Sequence, residues 1–237
     1  MISLSFDSTA KIASVAICDG EKLLALYNVD NGLTQSELLL PMAEDALRAL
    51  KLGFDDIELL CASVGPGSFT GVRIGTALVK GIAFGRNIPC ASVSTLEALA
   101  ENLNGIDGII VPAMDARRSQ LYTAIFEHKD GSMNRLTEDL AISIKELKDR
   151  LTPYADKPIY IVGDGYEVAH KELTKLGVKL ATTPMLLRAE NAFSVARVGY
   201  KMHLEGKTVS DLEHMPTYLR IPQAERERLE KLNASDN

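Results

Sequence analysis

The chain has 237 residues, of which 46% are hydrophobic and 24% charged, as is typical of a soluble globular protein. Its net charge of −6 excludes a strong general attraction to nucleic acid, so a partner would have to supply much of the binding to any RNA substrate. No apolar run approaches the roughly 20 residues of a membrane span. Three scattered cysteines and an N-terminus without a basic leader predict a reduced, cytoplasmic protein.

The first half of the chain predicts three strands followed by alternating helices and strands. Asp19-Gly20 is a hairpin signal, and Thr34-Gln35-Ser36-Glu37 has the pattern of a capping box that starts the first helix. Pro41 lies inside this helix, where it predicts a bend, and Gly53 ends it. The predicted elements are strands 2–7, 11–18 and 22–29, helix 34–52, strand 57–64, helix 71–86, strand 89–93 and helix 94–103.

The second half begins again with three strands, after a boundary marked by Asn104-Gly105 and Asp107-Gly108. Its predicted elements are strands 109–114, 121–126 and 136–142, helix 143–151, strand 158–162, helix 166–176, strand 178–180 and helix 189–204. This order predicts an α/β protein with a two-lobed actin-like (ASKHA) fold, built from two ribonuclease H-like halves of which the second is degenerate.

The first predicted lobe comprises residues 1–104 and the tail 213–237, and the second comprises residues 105–212. The tail is predicted to be extended as far as Pro222, and its charged segment 224–232 is compatible with a terminal helix. In such a fold the cleft between the lobes is the default ligand site.

A glycine-rich stretch, residues 65–75, connects a buried strand to the second helix. A strand, turn and helix in this order point backbone N–H groups at an anion, and Ser68 or Thr70 can cap the helix. The stretch is not a Walker A loop, because the nearest lysine, Lys80, lies well inside the helix. It is not a dinucleotide fingerprint either, because its third glycine comes one residue late. Spacing alone leaves a simple tight turn and a ligand or partner contact equally open.

The turns that would bind nucleotide in an actin-like ATPase are incomplete. Asp7-Ser8-Thr9-Ala10 and its counterpart Asp115-Ala116-Arg117-Arg118-Ser119 both lack the glycine that lets a backbone close on phosphate. Gly163-Asp164-Gly165 is the only candidate for an adenosine loop. We therefore expect no ATP hydrolysis by this chain alone and assign no catalytic residue. The candidate nucleotide or anion contacts are Asp7, Ser8, Gly65, Gly67, Ser68, Thr70 and Arg117.

Two alternatives remain for the aspartates that open these turns. Asp7 and Asp115 either cap their own turns through side-chain hydrogen bonds or meet across the cleft. The capping alternative is favoured.

The helix predicted over residues 71–86 is apolar on nearly every side, so it should be buried on two faces. One face packs on the sheet, and the other is covered either by helix 34–52 or by another molecule. The small residues would let a second helix approach closely. The candidate partner-interface residues are Leu38, Met42, Gly71, Gly75, Leu78, Ile82 and Gly85.

Together with segments 93–100, 114–117 and 218–220, the stretch 65–75 resembles the TsaB (YeaZ) family of bacterial proteins for tRNA threonylcarbamoyladenosine (t6A) synthesis. The resemblance implies a noncatalytic scaffold that forms a heterodimer with TsaD, the subunit that modifies adenosine 37 of tRNA. It also implies that TsaE joins the complex, that tRNA is contacted indirectly, and that a homodimer forms without TsaD. It implies no cofactor of the chain's own and leaves open whether ATP or ADP binds at the interface with TsaD.

Three positions depart from the related patterns. TsaD holds a metal through two histidines, and the matching positions here are Thr95 and Leu99, which cannot replace imidazole ligands. The four histidines of the chain are dispersed, so no metal site is predicted. Gln35 stands where we expect histidine in many relatives, which leaves the role of that position open. The alternative function is that of an autonomous ATPase, sugar kinase or metalloprotease of the same fold.

Overall fold

The computed structural model describes residues 1–117 and 120–220, and its first sheet comes from the first half of the chain. The strand order is β3-β2-β1-β4-β5, with β1 antiparallel to β2 and parallel to β4. The bounds are β1 (Ile2–Asp7), β2 (Ala13–Asp19), β3 (Lys22–Val29), β4 (Leu59–Ser63) and β5 (Cys90–Val93).

The second sheet repeats this plan, but its second and third strands are each split in two. Its strands are β6 (Gly108–Asp115), β7 (Gln120–Thr123), β8 (Phe126–Lys129), β9 (Ser132–Arg135), β10 (Leu140–Ser143) and β11 (Ile159–Val162). β7 and β8 pair with β6 in one continuous antiparallel register, and β11 pairs with β6 in parallel. Three antiparallel strands followed by a helix and a parallel strand thus occur twice, which confirms the predicted two-lobed α/β architecture.

Six α-helices connect and cover the sheets in the described part of the chain. They are α1 (Gln35–Leu50), α2 (Phe69–Ala83), α3 (Thr95–Glu101), α4 (Ile144–Leu151), α5 (Tyr166–Lys175) and α6 (Ala192–Leu204). The capping box predicted for α1 is present, since Thr34 N donates to Glu37 Oε2 at 3.2 Å. Ser68 caps α2, whose first residue lies two positions earlier than predicted, and accepts a hydrogen bond from Gly71 N at 3.3 Å.

Alternate residues of the first sheet face two different helical layers, because successive side chains of a strand point to opposite faces. Leu4 and Leu60 pack with α1 and α2. Leu59 and Cys61 pack with Val195 of α6. The predicted boundary places α6 in the second lobe, although α6 packs on the first sheet. The division of the chain into lobes otherwise stays a prediction, and residues 221–237, with the predicted terminal helix, lie outside the described residues.

One predicted strand does not form. Residues 178–180 run beside β11, and Ala181 N donates to Ile159 O at 2.8 Å, but they form no ladder. A single hydrogen bond of this kind does not make a strand. The apolar side chains Val178 and Leu180 of this segment pack against the core of the second lobe.

Residues 209–220 cross from the first sheet to the second lobe, and we call them the C-terminal strap. Thr217 N donates to Val64 O at 2.7 Å, next to the glycine stretch. The Arg220 guanidinium donates to Ala116 O of the second lobe at 3.0 Å. The strap therefore ties the end of β4 to the end of β6.

His214 anchors the strap and is completely buried. Its Nδ1 shares a 2.8 Å hydrogen bond with Ser92 Oγ, while Nε2 has no partner among the described residues. Burial, with a smaller contribution from the charge of Lys80, lowers the pKa of His214 from 6.5 to about 4.

We expect the free energy of unfolding to fall as the pH falls from 6.5 to about 4. In that range the unfolded chain takes up a proton that the folded His214 does not, which costs about 1.4 kcal/mol per pH unit. Urea unfolding of the wild type and His214→Gln between pH 7 and pH 4 measures the effect. The variant should lose most of this pH dependence. Equal slopes for the two proteins would contradict the assignment, and His170→Gln on α5 serves as the control.

Candidate functional site

A cleft of ≈ 960 Å³ lies between the two lobes, bordered by the turn after β1, the glycine stretch, the end of β6 and the strap. Four of the seven candidate ligand contacts line it, namely Gly67, Ser68, Thr70 and Arg117. The other three are buried and do not line it, namely Asp7, Ser8 and Gly65. The predicted nucleotide contacts are thus only partly brought together.

Asp7 caps its own turn. Its Oδ1 accepts hydrogen bonds from Thr9 N at 2.9 Å and Thr9 Oγ1 at 2.7 Å, and its Oδ2 accepts one from Ser63 Oγ at 2.6 Å. Burial raises the pKa of the Asp7 carboxyl, and the hydrogen bonds from Ser63 and Thr9 oppose this rise. Both oxygens already have donors from this chain, which confirms the favoured capping interpretation.

The turn after β1 and the glycine stretch close on each other. Ser8 Oγ donates to Gly71 O at 2.8 Å, and Ser68 N donates to Thr9 O at 2.7 Å. A Cβ at Gly67 would lie 2.7 Å from Thr9 O. The Ser68 N–H, which an anion at this loop would need, is therefore used inside the chain.

Gly71 and Gly75 also face this turn. A Cβ at Gly71 would overlap Ser8 O, and a Cβ at Gly75 would lie 2.7 Å from Ser8 Oγ. The prediction that these two glycines make room for a partner is therefore wrong, because the close neighbour is a turn of the same chain. Met42, another predicted interface residue, is buried in the core of the first lobe.

The solvent-facing side of α1 and α2 carries a patch of apolar and small residues, and we call this patch the outer face. Its predicted residues Leu38, Leu78 and Ile82 are half-buried, while Gly85 is exposed just beyond the end of α2. The structure adds four further residues to this face, namely Pro41, Ile74, Ala77 and Gly81. Ala77 and Gly81 are exposed one helical turn apart.

Across the cleft, Asp115 also caps its own turn. Its Oδ1 accepts a hydrogen bond from Arg117 N at 2.7 Å, as expected for an Asx turn. The exposed Arg117 guanidinium lies 3.4 Å from Asp115 Oδ2. The candidate adenosine loop packs on the same edge, where Gly165 N donates to Ala113 O at 2.9 Å.

Glu190, in the segment that leads into α6, lines the cleft together with Asp164 and is not among the predicted contacts. Only 4% of Glu190 is exposed, and its Oε1 accepts a hydrogen bond from Asp164 N at 3.2 Å. Burial, together with the charges of Asp7 and Asp164, raises the pKa of Glu190 to about 8. Burial also raises the pKa of Asp164. No local pattern marks this glutamate, because segments far apart in sequence bury it.

Within residues 1–117 and 120–220, no three His, Cys, Asp or Glu side chains are arranged to hold a metal ion. Thr95 and Leu99, which stand at the positions of the TsaD histidines, are buried in α3. No helix in the same residues is both long and apolar enough to cross a membrane. The expected absence of a metal site stays a prediction.

The known proteins that this chain matches include TsaD and TsaB, whose names both refer to the threonylcarbamoyl modification of tRNA. The model of the TsaD family, tRNA N6-adenosine threonylcarbamoyltransferase, matches residues 34–213. The tRNA threonylcarbamoyladenosine biosynthesis protein TsaB of Bacillus subtilis is 28% identical over 233 residues, which cover 97% of this chain and 99% of that protein. TsaB of Escherichia coli is 29% identical and covers 92% of this chain and 94% of its own length.

A solved structure agrees with these relatives. YeaZ from Pseudomonas aeruginosa superposes with a TM-score of 0.75 and 22% identity, covering 92% of this chain and 99% of its own. It shows that the two share a fold. The chain belongs to the TsaB (YeaZ) family, and over residues 34–213 it carries the sequence pattern of the TsaD family.

Proposed function

We propose that the chain acts in t6A synthesis as a noncatalytic partner subunit that forms a heterodimer with TsaD. The names of its TsaB relatives support the pathway. The observation that carries the noncatalytic part is the closed turn after β1. Its Thr9 carbonyl accepts the Ser68 N–H, and its Ser8 hydroxyl donates to Gly71 O. A phosphate seated here would have to break both hydrogen bonds in a buried place, where unmade hydrogen bonds are costly.

The outer face supports the heterodimer. Half-buried aliphatic side chains next to exposed small residues form a surface that a partner helix can approach closely, and covering it removes apolar area from water. We propose that TsaD covers this face and that a homodimer uses it when TsaD is absent. In the cytoplasm, TsaE would then join the complex, and tRNA would be bound mainly by the other subunits because of the net charge of −6.

ATP or ADP at the interface with TsaD is compatible with this proposal. Gly67, Ser68 and Arg117 remain on the cleft wall, so a nucleotide held mainly by TsaD could still touch them. No residue of this chain is then required to perform chemistry.

Coexpression with TsaD followed by size-exclusion chromatography tests the partner role. A 1:1 complex that restores t6A formation by TsaD is the expected result, and separate elution at micromolar concentrations would contradict the proposal. Isothermal calorimetry of the isolated chain with ATP and Mg²⁺ tests the alternative of an autonomous ATPase. Tight nucleotide binding with turnover in the absence of TsaD would establish that alternative. Peptide cleavage by the isolated, metal-loaded chain would do the same for a metalloprotease.

Ala77→Arg should weaken TsaD binding at least about tenfold, because it places a long charged side chain at the centre of the outer face. The exposed position of Ala77 lets the isolated chain keep its stability. Val168→Arg on α5, also at an exposed apolar position, is the matched control and should bind TsaD normally. Equal affinities for the two variants would place the interface elsewhere. Gly75→Leu does not serve this purpose, because Gly75 packs against Ser8.

A further inference from the structure

Arg73 on α2 is held in one orientation by the aromatic pair Phe69 and Tyr218. Its guanidinium carbon lies 3.7 Å from the Phe69 ring centre and 5.9 Å from that of Tyr218. Arg73 Nε donates to Tyr218 Oη at 2.9 Å, and the two rings are 5.1 Å apart. Tyr218 belongs to the C-terminal strap, so a residue 145 positions away in sequence helps to fix the Arg73 side chain.

The fixed cation lacks an anionic partner in residues 1–117 and 120–220. None of the ion pairs there includes Arg73, and the one hydrogen bond that it donates uses Nε, so the terminal nitrogens have no acceptor in those residues. The side chain is exposed at its place on α2. A guanidinium in this state presents two parallel N–H donors, the geometry that a carboxylate accepts.

The position of Arg73 decides what kind of anion can reach it. Arg73 is not part of the cleft lining, so a small ligand in the cleft is not its natural partner. Along α2, the next two turns on the same side carry the exposed Ala77 and Gly81. An anion that binds Arg73 therefore lies next to small apolar residues of α2. A carboxylate side chain on the surface of a partner protein is an anion that can occupy this position.

We propose that Arg73 is the ionic anchor of the outer face and binds an aspartate or glutamate carboxylate of TsaD. This inference rests on the proposed function and adds the chemistry of the contact. The aromatic support matters because a guanidinium that is already oriented loses less freedom on binding than a mobile one. Through Tyr218, the strap thereby orients Arg73 for binding, although the strap is not part of the outer face.

Arg73→Gln should raise the dissociation constant for TsaD about 10- to 100-fold, the range expected when one partner of an interfacial charge pair is removed. Tyr218→Phe should raise it only about threefold, since the cation and both rings stay. Arg150→Gln on α4 is the matched control and should not change it. If the wild type binds TsaD and Arg73→Gln binds equally well, the anchor is wrong while the proposed function stands. If the wild type does not bind TsaD, both are wrong.

Arg73→Lys allows a direct identification of the carboxylate. The introduced amine keeps the charge, and in the complex with TsaD a carbodiimide should couple it to a contacting Asp or Glu, which mass spectrometry of the cross-linked peptides locates. A cross-link to TsaD confirms the proposal. A cross-link to a second copy of this chain, or none in a complex that forms, would overturn it.

Discussion

Gly71→Ala is expected to lower the free energy of unfolding by about 3 kcal/mol, within the range for overpacking at a close contact. The added methyl group would overlap Ser8 O, so α2 and the turn after β1 must separate. The hydrogen bond from Ser8 Oγ to Gly71 O, 2.8 Å long and buried, would weaken in consequence. At about 2–4 °C per kcal/mol for a chain of this size, the melting temperature should fall by about 6–12 °C.

Gly81→Ala is the matched control, because Gly81 lies in the same helix and a Cβ there would meet nothing within 4 Å. It should raise the stability of the isolated chain by up to about 1 kcal/mol, since alanine is the better helix former. Calorimetry measures the stability of both variants, and titration with TsaD measures their affinity. Together they separate the role of Gly71 in packing inside the chain from the role of Gly81 on the outer face. We expect Gly71→Ala to be less stable than the wild type and Gly81→Ala to be at least as stable as the wild type. Equal melting temperatures for the two variants would contradict the packing role of Gly71.

These two glycines show what the sequence can and cannot predict. The spacing of apolar residues predicts that α2 is buried on two faces. In the structure its buried residues lie on one side of the helix, while Ala77 and Gly81 on the other side are exposed. Spacing does not identify the residues that cover each face, because helical periodicity shows only which residues share a face. The spacing predicts that Gly71 and Gly75 face a partner, whereas the neighbour that needs them is Ser8, more than 60 positions away in sequence.

Local signals were more reliable. The Asp19-Gly20 hairpin and the Thr34–Glu37 capping box depend on residues within four positions of each other, and both form. The candidate site depends on long-range contacts. Tyr218 was recognised only as part of a family segment, and its support of Arg73 requires the strap to cross the end of α2. Glu190 has no local signal at all.

Glu190→Gln is expected to stabilise the protein increasingly as the pH rises. The pKa of Glu190 is raised from 4.5 to about 8 in the folded chain, so between these values the unfolded chain releases a proton that the folded chain retains. The contribution of Glu190 to the free energy of unfolding is therefore most favourable below pH 4.5 and is lost as the pH rises toward 8. At about 1.4 kcal/mol per pH unit, and less near the two pKa values, the gain of the variant over the wild type should grow by about 3.5 kcal/mol between pH 5 and pH 8.

The substitution keeps the local geometry, because a glutamine Oε1 can still accept the hydrogen bond from Asp164 N. It removes the charge that Asp7 and Asp164 oppose. Subtracting the wild-type stability at each pH cancels the opposite slope that His214 contributes below pH 6.5. Glu167→Gln provides the control for the substitution itself, since Glu167 lines the same cleft with its side chain 86% exposed. A flat difference between Glu190→Gln and the wild type, measured by urea unfolding from pH 5 to pH 8, would mean that Glu190 is ionised and solvated in the folded chain.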